Sequence, residues 1–153
     1  DLKRWPPERW SDLASQWRDK TASEVLVIAA PWEMSIAHAV GGRVETPSLH
    51  DLPDVLLRCS VVVSADTGPL HLAAALGLPV VGLFGPTPLG SGFWVWGSHG
   101  EALAPRTACS PCSLHGAGTC RMPTQLCFEE YDAGDALAAA LRLRSVHYSR
   151  EAI

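Results

Sequence analysis

The chain lacks any concentration of positive charge. Its 12 Lys and Arg are scattered among 16 Asp and Glu, for a formal net charge of -4. A protein that holds nucleic acid by neutralising phosphates needs clustered Lys and Arg, so a strongly basic nucleic-acid binder is excluded. It also lacks a long apolar run: no stretch approaches the roughly 20 residues of a membrane-spanning helix. No signal peptide opens it, and it carries no internal repeat or low-complexity tract. These absences lead to the expectation of a soluble, cytosolic domain with no nucleic-acid partner and no membrane span. What is present suits one core: 153 residues, 47% hydrophobic and 18% charged. The first residue is Asp1 rather than Met, so a piece of a longer protein is expected.

Apolar periodicity predicts alternating helices and strands. Trp10, Leu13, Ala14 and Trp17 recur at helical spacing and predict a helix from Trp10 to Lys20. A strand is expected over Glu24 to Ala30, a short helix over Glu33 to Val40 and a minor strand over Arg43 to Thr46. Ser48 is read as the cap of a helix from about Leu49 to Cys59. The Val61-Val62-Val63 run predicts a strand buried on both faces, and Pro79 to Phe84 another. Strand, helix, strand, helix, strand implies right-handed parallel crossovers and a Rossmann-like layer. From about 85 to 130 the composition turns to Gly, Pro, Trp and Cys, which reads as a long irregular excursion within a single 1–153 domain. A final helix is expected from about Ala133 to Arg144.

The densest signal is Asp66-Thr67-Gly68-Pro69-Leu70-His71, between the Val strand and Leu72-Ala73-Ala74-Ala75-Leu76. Thr67 can cap a helix, Pro69 suits a first turn and the alanines propagate it. The helix start then lies at the carboxyl end of a strand, where free N–H groups and the helix dipole attract phosphate. Gly68 would let a phosphate approach the backbone, and His71 can donate to an anion or hydroxyl. Asp66 repels anions, so its expected partners are sugar hydroxyls or the local backbone.

Four cysteines, Cys109, Cys112, Cys120 and Cys127, form C-x2-C-x7-C-x6-C. Four thiolates suit tetrahedral zinc, or iron, and His115 could replace one of them. Disulfides and unliganded thiols are the other readings. Four protein ligands would leave no open position, so such a metal would fasten the loop and do no chemistry. Cys59 reads as a small buried hydrophobe, Trp5, Trp10 and Trp17 as packing residues, and Trp94 and Trp96 as walls of a sugar or acceptor pocket.

Asp-Thr-Gly-Pro-x-His before an alanine-rich helix, then a strand ending in Phe84-Gly85-Pro86-Thr87, resembles the carboxyl-terminal half of the family 9 glycosyltransferases, the ADP-heptose lipopolysaccharide heptosyltransferases. Lys3-Arg4-Trp5-Pro6 with Trp10 is similar to the family's Lys-x-Trp-Pro segment. The resemblance implies a GT-B enzyme of two facing Rossmann-like domains, of which this chain is similar to the second, donor-binding one. It implies that Lys3 contacts the donor diphosphate, that Asp66, Thr67, Gly68 and His71 line the same site, that Glu33 holds the ribose and that Pro47 lies near the adenine. Relatives often carry glycines where this chain has Ala29-Ala30-Pro31-Trp32. The implied reaction moves heptose, or a related sugar, from an ADP-sugar to a lipopolysaccharide core or similar glycan acceptor, with inversion. It needs no cofactor for the chemistry, and a structural zinc or iron is the one metal considered.

No residue of this chain is read as the catalytic base, which is expected on an amino-terminal domain. The implied location is the bacterial cytoplasm, peripheral at the inner face of the inner membrane. Two other readings stand beside this one: another sugar-nucleotide enzyme of the same two-domain architecture, such as an epimerase, and a non-catalytic binding module built on a cysteine-metal knuckle.

Overall fold

The computed structural model describes residues 2–90 and 99–151, with side chains as far as Ser145. Helix α1 (Pro7–Thr21) starts three residues earlier than its apolar pattern, because Pro7 occupies a first-turn position where a missing N–H costs nothing. It ends where Ala22 turns left-handed (φ 52°) and returns its N–H to Arg18 O. Strand β1 (Leu26–Ile28), a short 3-10 turn (Pro31–Glu33), helix α2 (Met34–Val40) and strand β2 (Arg43–Glu45) follow.

Helix α3 (Leu52–Leu56) is half the expected length. Pro53 tolerates only a first-turn position, so the helix cannot begin at Leu49; Asp51 is the flanking residue, and Ser48 Oγ donates to Asp51 Oδ2 at 2.6 Å while accepting from Asp51 N at 3.3 Å, capping the turn ahead of the helix. Next come β3 (Val62–Ala65), α4 (Gly68–Ala75) and β4 (Val80–Leu83). The excursion holds an unexpected strand, β5 (Gly100–Leu103), and a 3-10 turn at Leu126–Phe128. Helix α5 (Ala133–Glu151) runs past Arg144.

Among the described residues all strand pairs are parallel, as predicted, but they form two sheets: β1 with β2, and β3-β4-β5 with β4 central. Strand β4 is buried throughout. Its odd residues Val81 and Leu83 join α1 and α5, with Trp5, Phe128 and Tyr131, on one face. Val80 and, one residue past the strand, Phe84 join Leu56 and Leu70 of α3 and α4 on the other. Gly82 belongs to the even face for a steric reason: a Cβ there would lie 2.7 Å from Phe84 Cε2 and 3.1 Å from Leu70 Cδ2.

Strand β3 departs from the expectation of burial on both faces. Val62 is buried, but Val61 and Val63 are half-buried, because β3 borders a cleft of about 670 Å³ that separates it from β1.

The segment before α1 is bound to the last third of the chain. Trp5 is fully buried, edge-on to Trp10 (centroids 4.9 Å apart) and stacked on Tyr131 (6.2 Å). Arg9 donates to Phe128 O and, at 2.6 Å, to Tyr131 O, while Gln125 Nε2 donates to Leu2 O at 3.4 Å. Tyr131 Oη closes the arrangement by donating to Phe84 O at 3.0 Å. Burial pushes the Tyr131 hydroxyl pKa far above its ordinary value, so it acts as a neutral donor.

Candidate functional site

The apolar β3 ladder delivers Asp66 to the carboxyl edge of the sheet, where its N–H continues the pairing by donating to Leu83 O at 3.3 Å. Its carboxylate is only 2% exposed, a placement that is costly without partners. Partners are present on both oxygens. Oδ2 accepts from Lys3 Nζ at 2.9 Å and from Thr87 Oγ1 at 2.8 Å; Oδ1 meets His71 Nε2 at 3.1 Å. Lys3 Nζ also donates to Asp66 O at 3.0 Å. Burial works to raise the Asp66 pKa, but the hydrogen bonds from Lys3, Thr87 and His71 and the charge of Lys3 outweigh it and hold the carboxyl below its ordinary value.

To the partners expected of Asp66, sugar hydroxyls or the local backbone, the structure adds Lys3, Thr87 and His71 inside the protein. His71, expected to donate outward to a ligand, has Nε2 directed at the same carboxylate.

Thr67 occupies the flanking position before α4 with extended backbone (φ -141°), as predicted for a cap. Its hydroxyl, however, donates back to Ala65 O at 3.2 Å and lies 3.3 Å from Ser64 Oγ, so it caps no helical N–H. In the first turn of α4, Pro69 has no N–H and Leu70 N donates to Thr67 O at 3.1 Å, so Gly68 supplies the helical amide that an anion could meet. Gly68 is exposed, and a Cβ placed on it would meet nothing within 4 Å. Nothing inside the protein requires glycine there, whereas close approach of a ligand to the backbone would.

Lys3, Thr67 and Glu33 line the mouth of the cleft between β1 and β3, with Ala29 and Ala65. The structure thus brings three predicted site residues to one opening and sets Asp66 and His71 directly behind Lys3. Glu33 is engaged locally: Oε1 accepts from Arg4 Nη2 at 3.1 Å and Oε2 from Ala30 N at 3.3 Å. That is half of a capping box, since Ala30 has no side chain to return the bond. Pro47 follows β2 and is half-buried; it is not among the residues lining the cleft. Trp94 and Trp96 lie outside the described residues.

Cys109, Cys112, Cys120 and Cys127 are all free thiols. Burial, with Cys112, Cys109 and Cys120 nearby, pushes the Cys127 thiol up to about 11. Yet among the described residues no group of three or more His, Cys, Asp and Glu converges to hold a metal ion. Cys127 is the buried one of the four, while Cys109, Cys112, Cys120 and His115 lie on exposed and half-buried segments. Cys59 is half-buried rather than buried, with its thiol directed at Val55 O (3.8 Å); burial still raises its pKa.

Thr87 is the functional candidate that residue-level reading passed over. It ends a continuous buried run from Leu78, it is 3% exposed, and with Asp66 it makes up the buried polar residues among those described. A hydroxyl closing so apolar a run needs a buried acceptor, and that signal was available.

No helix among the described residues is long and apolar enough to cross a membrane. The sequence pattern described as "Glycosyltransferase family 9 (heptosyltransferase)" matches residues 1–113. The chain is 32% identical over 123 residues to lipopolysaccharide heptosyltransferase 1 of Pseudomonas aeruginosa, covering 72% of this chain and 32% of that protein. It is 36% identical over 96 residues to the Escherichia coli K12 protein of that name, covering 59% and 30%. It therefore spans about a third of the length of these relatives.

Among solved structures, a family 9 glycosyl transferase from Veillonella parvula superposes with a TM-score of 0.76 at 18% identity, over 94% of this chain and 42% of that one, a likeness of fold. E. coli heptosyltransferase WaaC with ADP gives 0.57 at 30% identity, over 67% and 33%. The parallel α/β layer expected from the sequence is shared with these structures, and on a pattern match covering well over half of its length the chain belongs to glycosyltransferase family 9.

Proposed function

We propose that this chain is the donor-binding part of an inverting glycosyltransferase that moves heptose, or a related sugar, from an ADP-sugar to a lipopolysaccharide core or similar glycan in the bacterial cytoplasm. The observation that carries the reading is Lys3, whose ammonium is held 2.9 Å from Asp66 Oδ2 at the start of α4. A lysine fixed beside the Thr67 and Gly68 amides at a helix start is a seat for a diphosphate. The likeness to a heptosyltransferase solved with ADP supports the choice of nucleotide.

In the proposed reaction an acceptor hydroxyl attacks the anomeric carbon, the bond from that carbon to the diphosphate breaks, and the diphosphate leaves with the electron pair. Lys3 and the Thr67 and Gly68 amides stabilise the charge that develops on it. The hydroxyl's proton needs a base. Asp66 is unsuited, being ion-paired on one oxygen and hydrogen-bonded on both, and Glu33 is held by Arg4. The base is therefore assigned to residues outside this chain.

Calorimetry with ADP tests the donor reading. The chain is expected to bind ADP, and Lys3→Ala to weaken binding by roughly tenfold or more, the loss expected for a charge-assisted contact. Thr67→Ala, which frees the backbone around the α4 start, should weaken it less. A folded wild-type chain that takes up no ADP would sink the proposal and favour the binding-module reading.

A further inference from the structure

Lys3 arrives at the site from a short segment ahead of α1, and its four-carbon stem has the rotamer freedom of any lysine. Two distant parts of the chain remove that freedom. The first is Thr87. Its hydroxyl donates to Asp66 Oδ2 at 2.8 Å, and the same oxygen takes Lys3 Nζ at 2.9 Å while Oδ1 faces His71. Thr87 is thus the uncharged, buried partner that fixes the carboxylate plane on which Lys3 and His71 register.

The second is Gly116, which is buried with a left-handed backbone (φ +75°). A Cβ at Gly116 would come within 2.4 Å of Lys3 Cγ and 2.6 Å of Lys3 Cε, so the lysine stem lies flat across the glycine. Both devices share one support. The Gly85-Pro86 turn that presents Thr87 also holds the segment leading to Gly116: Ser110 Oγ donates to Gly85 O at 2.7 Å, and Cys112 N and Ser113 N donate to Pro86 O at 3.0 and 3.1 Å.

We propose that Thr87 and Gly116 are positioning residues of the donor site, acting through Asp66 and through the Lys3 stem to set the ammonium for the diphosphate before nucleotide arrives. The inference rests on the donor reading above for what Lys3 binds. Neither residue touches the nucleotide; each acts on where Lys3 stands.

The chain has only two lysines, Lys3 and Lys20, so a lysine ¹⁵Nζ–¹H correlation spectrum reports Lys3 against an internal reference. In Thr87→Val, which keeps shape and removes the donor, the Lys3 signal should move toward that of Lys20 or broaden away, and Thr87→Ser should restore it. Gly116→Ala should disturb the same signal by displacing the stem. By calorimetry, Thr87→Val should weaken ADP roughly tenfold while leaving adenosine unchanged, because only the diphosphate uses Lys3.

A wild-type chain that binds no ADP defeats the donor reading. A wild type that binds ADP, with Lys3 signal and affinity unaltered in Thr87→Val and Gly116→Ala, overturns the positioning role. Equal losses of ADP and adenosine in Thr87→Val would overturn it too, since they mark a merely structural residue.

Discussion

The β3-β4-β5 half and the β1-β2 half of the molecule are built to different standards. Strand β4 is covered on both faces, and every residue from Leu78 to Thr87 is buried. Strands β1 and β2 are three residues each and nowhere fully buried, and the carboxylates beside them, Glu33 and Glu45, are matched by exposed arginines. The proposed phosphate seat stands on the dense half and the proposed ribose contact on the open one. The contrast teaches that charge is placed here by burial, whereas the nucleoside side is left to surface groups that a ligand can displace at little cost.

The sharpest way to break this contrast is in the core. Leu83→Ala in β4, at a site 1% exposed, should cost about 3 kcal/mol, and Val27→Ala in β1 about 1 kcal/mol or less; urea denaturation measures both. Equal losses would mean that the two halves share one core.

Asp66→Asn should follow, at about 2 kcal/mol, below the usual loss for a buried pair because Lys3 and His71 keep some access to water. The pH dependence has a definite sign. The folded carboxyl titrates below its ordinary value of 3.8, so its stabilisation is complete above about pH 5 and fades as the pH falls through that value and below. The gap in denaturation midpoint between wild type and Asp66→Asn should hold at pH 6 to 8 and narrow in acid.

On the open half, Glu33→Gln should change stability by no more than about 0.5 kcal/mol, the worth of a surface pair. Any loss of ADP affinity in that variant then reports a ligand contact and not a folding defect. The smallest effect is a matter of rate: at pH 8 the buried Cys127, a thiol with pKa about 11, should alkylate far more slowly than the exposed Cys112, as peptide mass spectrometry would show.

Much of the layer was legible because most of its strands are apolar and α1, α3 and α4 carry proline in their first turns. The Val run, the alanine-rich helix and the Asp66-to-His71 turn lie where the chain's periodicity puts them. Strand β5 was not legible, since Gly-Glu-Ala-Leu carries no β-branched or aromatic residue; it is a strand because β4 offers it an edge. The division of the sheet between β1 and β3 was hidden too, as similar Val-rich runs serve the covered strand β4 and the strand β3 beside a cleft. At the site, the family resemblance implied that Lys3, Thr67 and Glu33 would serve one ligand, and they line one cleft. Residue types could not show that Asp66 faces inward, because its partners Lys3 and Thr87 lie 63 and 21 positions away.

The binding of the first residues to the last third of the chain bears on how the protein is made. Leu2, Lys3 and Arg9 are synthesised well before Gln125, Gly116, Phe128 and Tyr131, the residues that hold them. Contacts of that sequence separation close late. Synthesis must therefore pass Tyr131 before Lys3 has its full setting, and a nascent chain cut short of the Leu126–Phe128 turn would carry every residue of the phosphate seat without the means to assemble it.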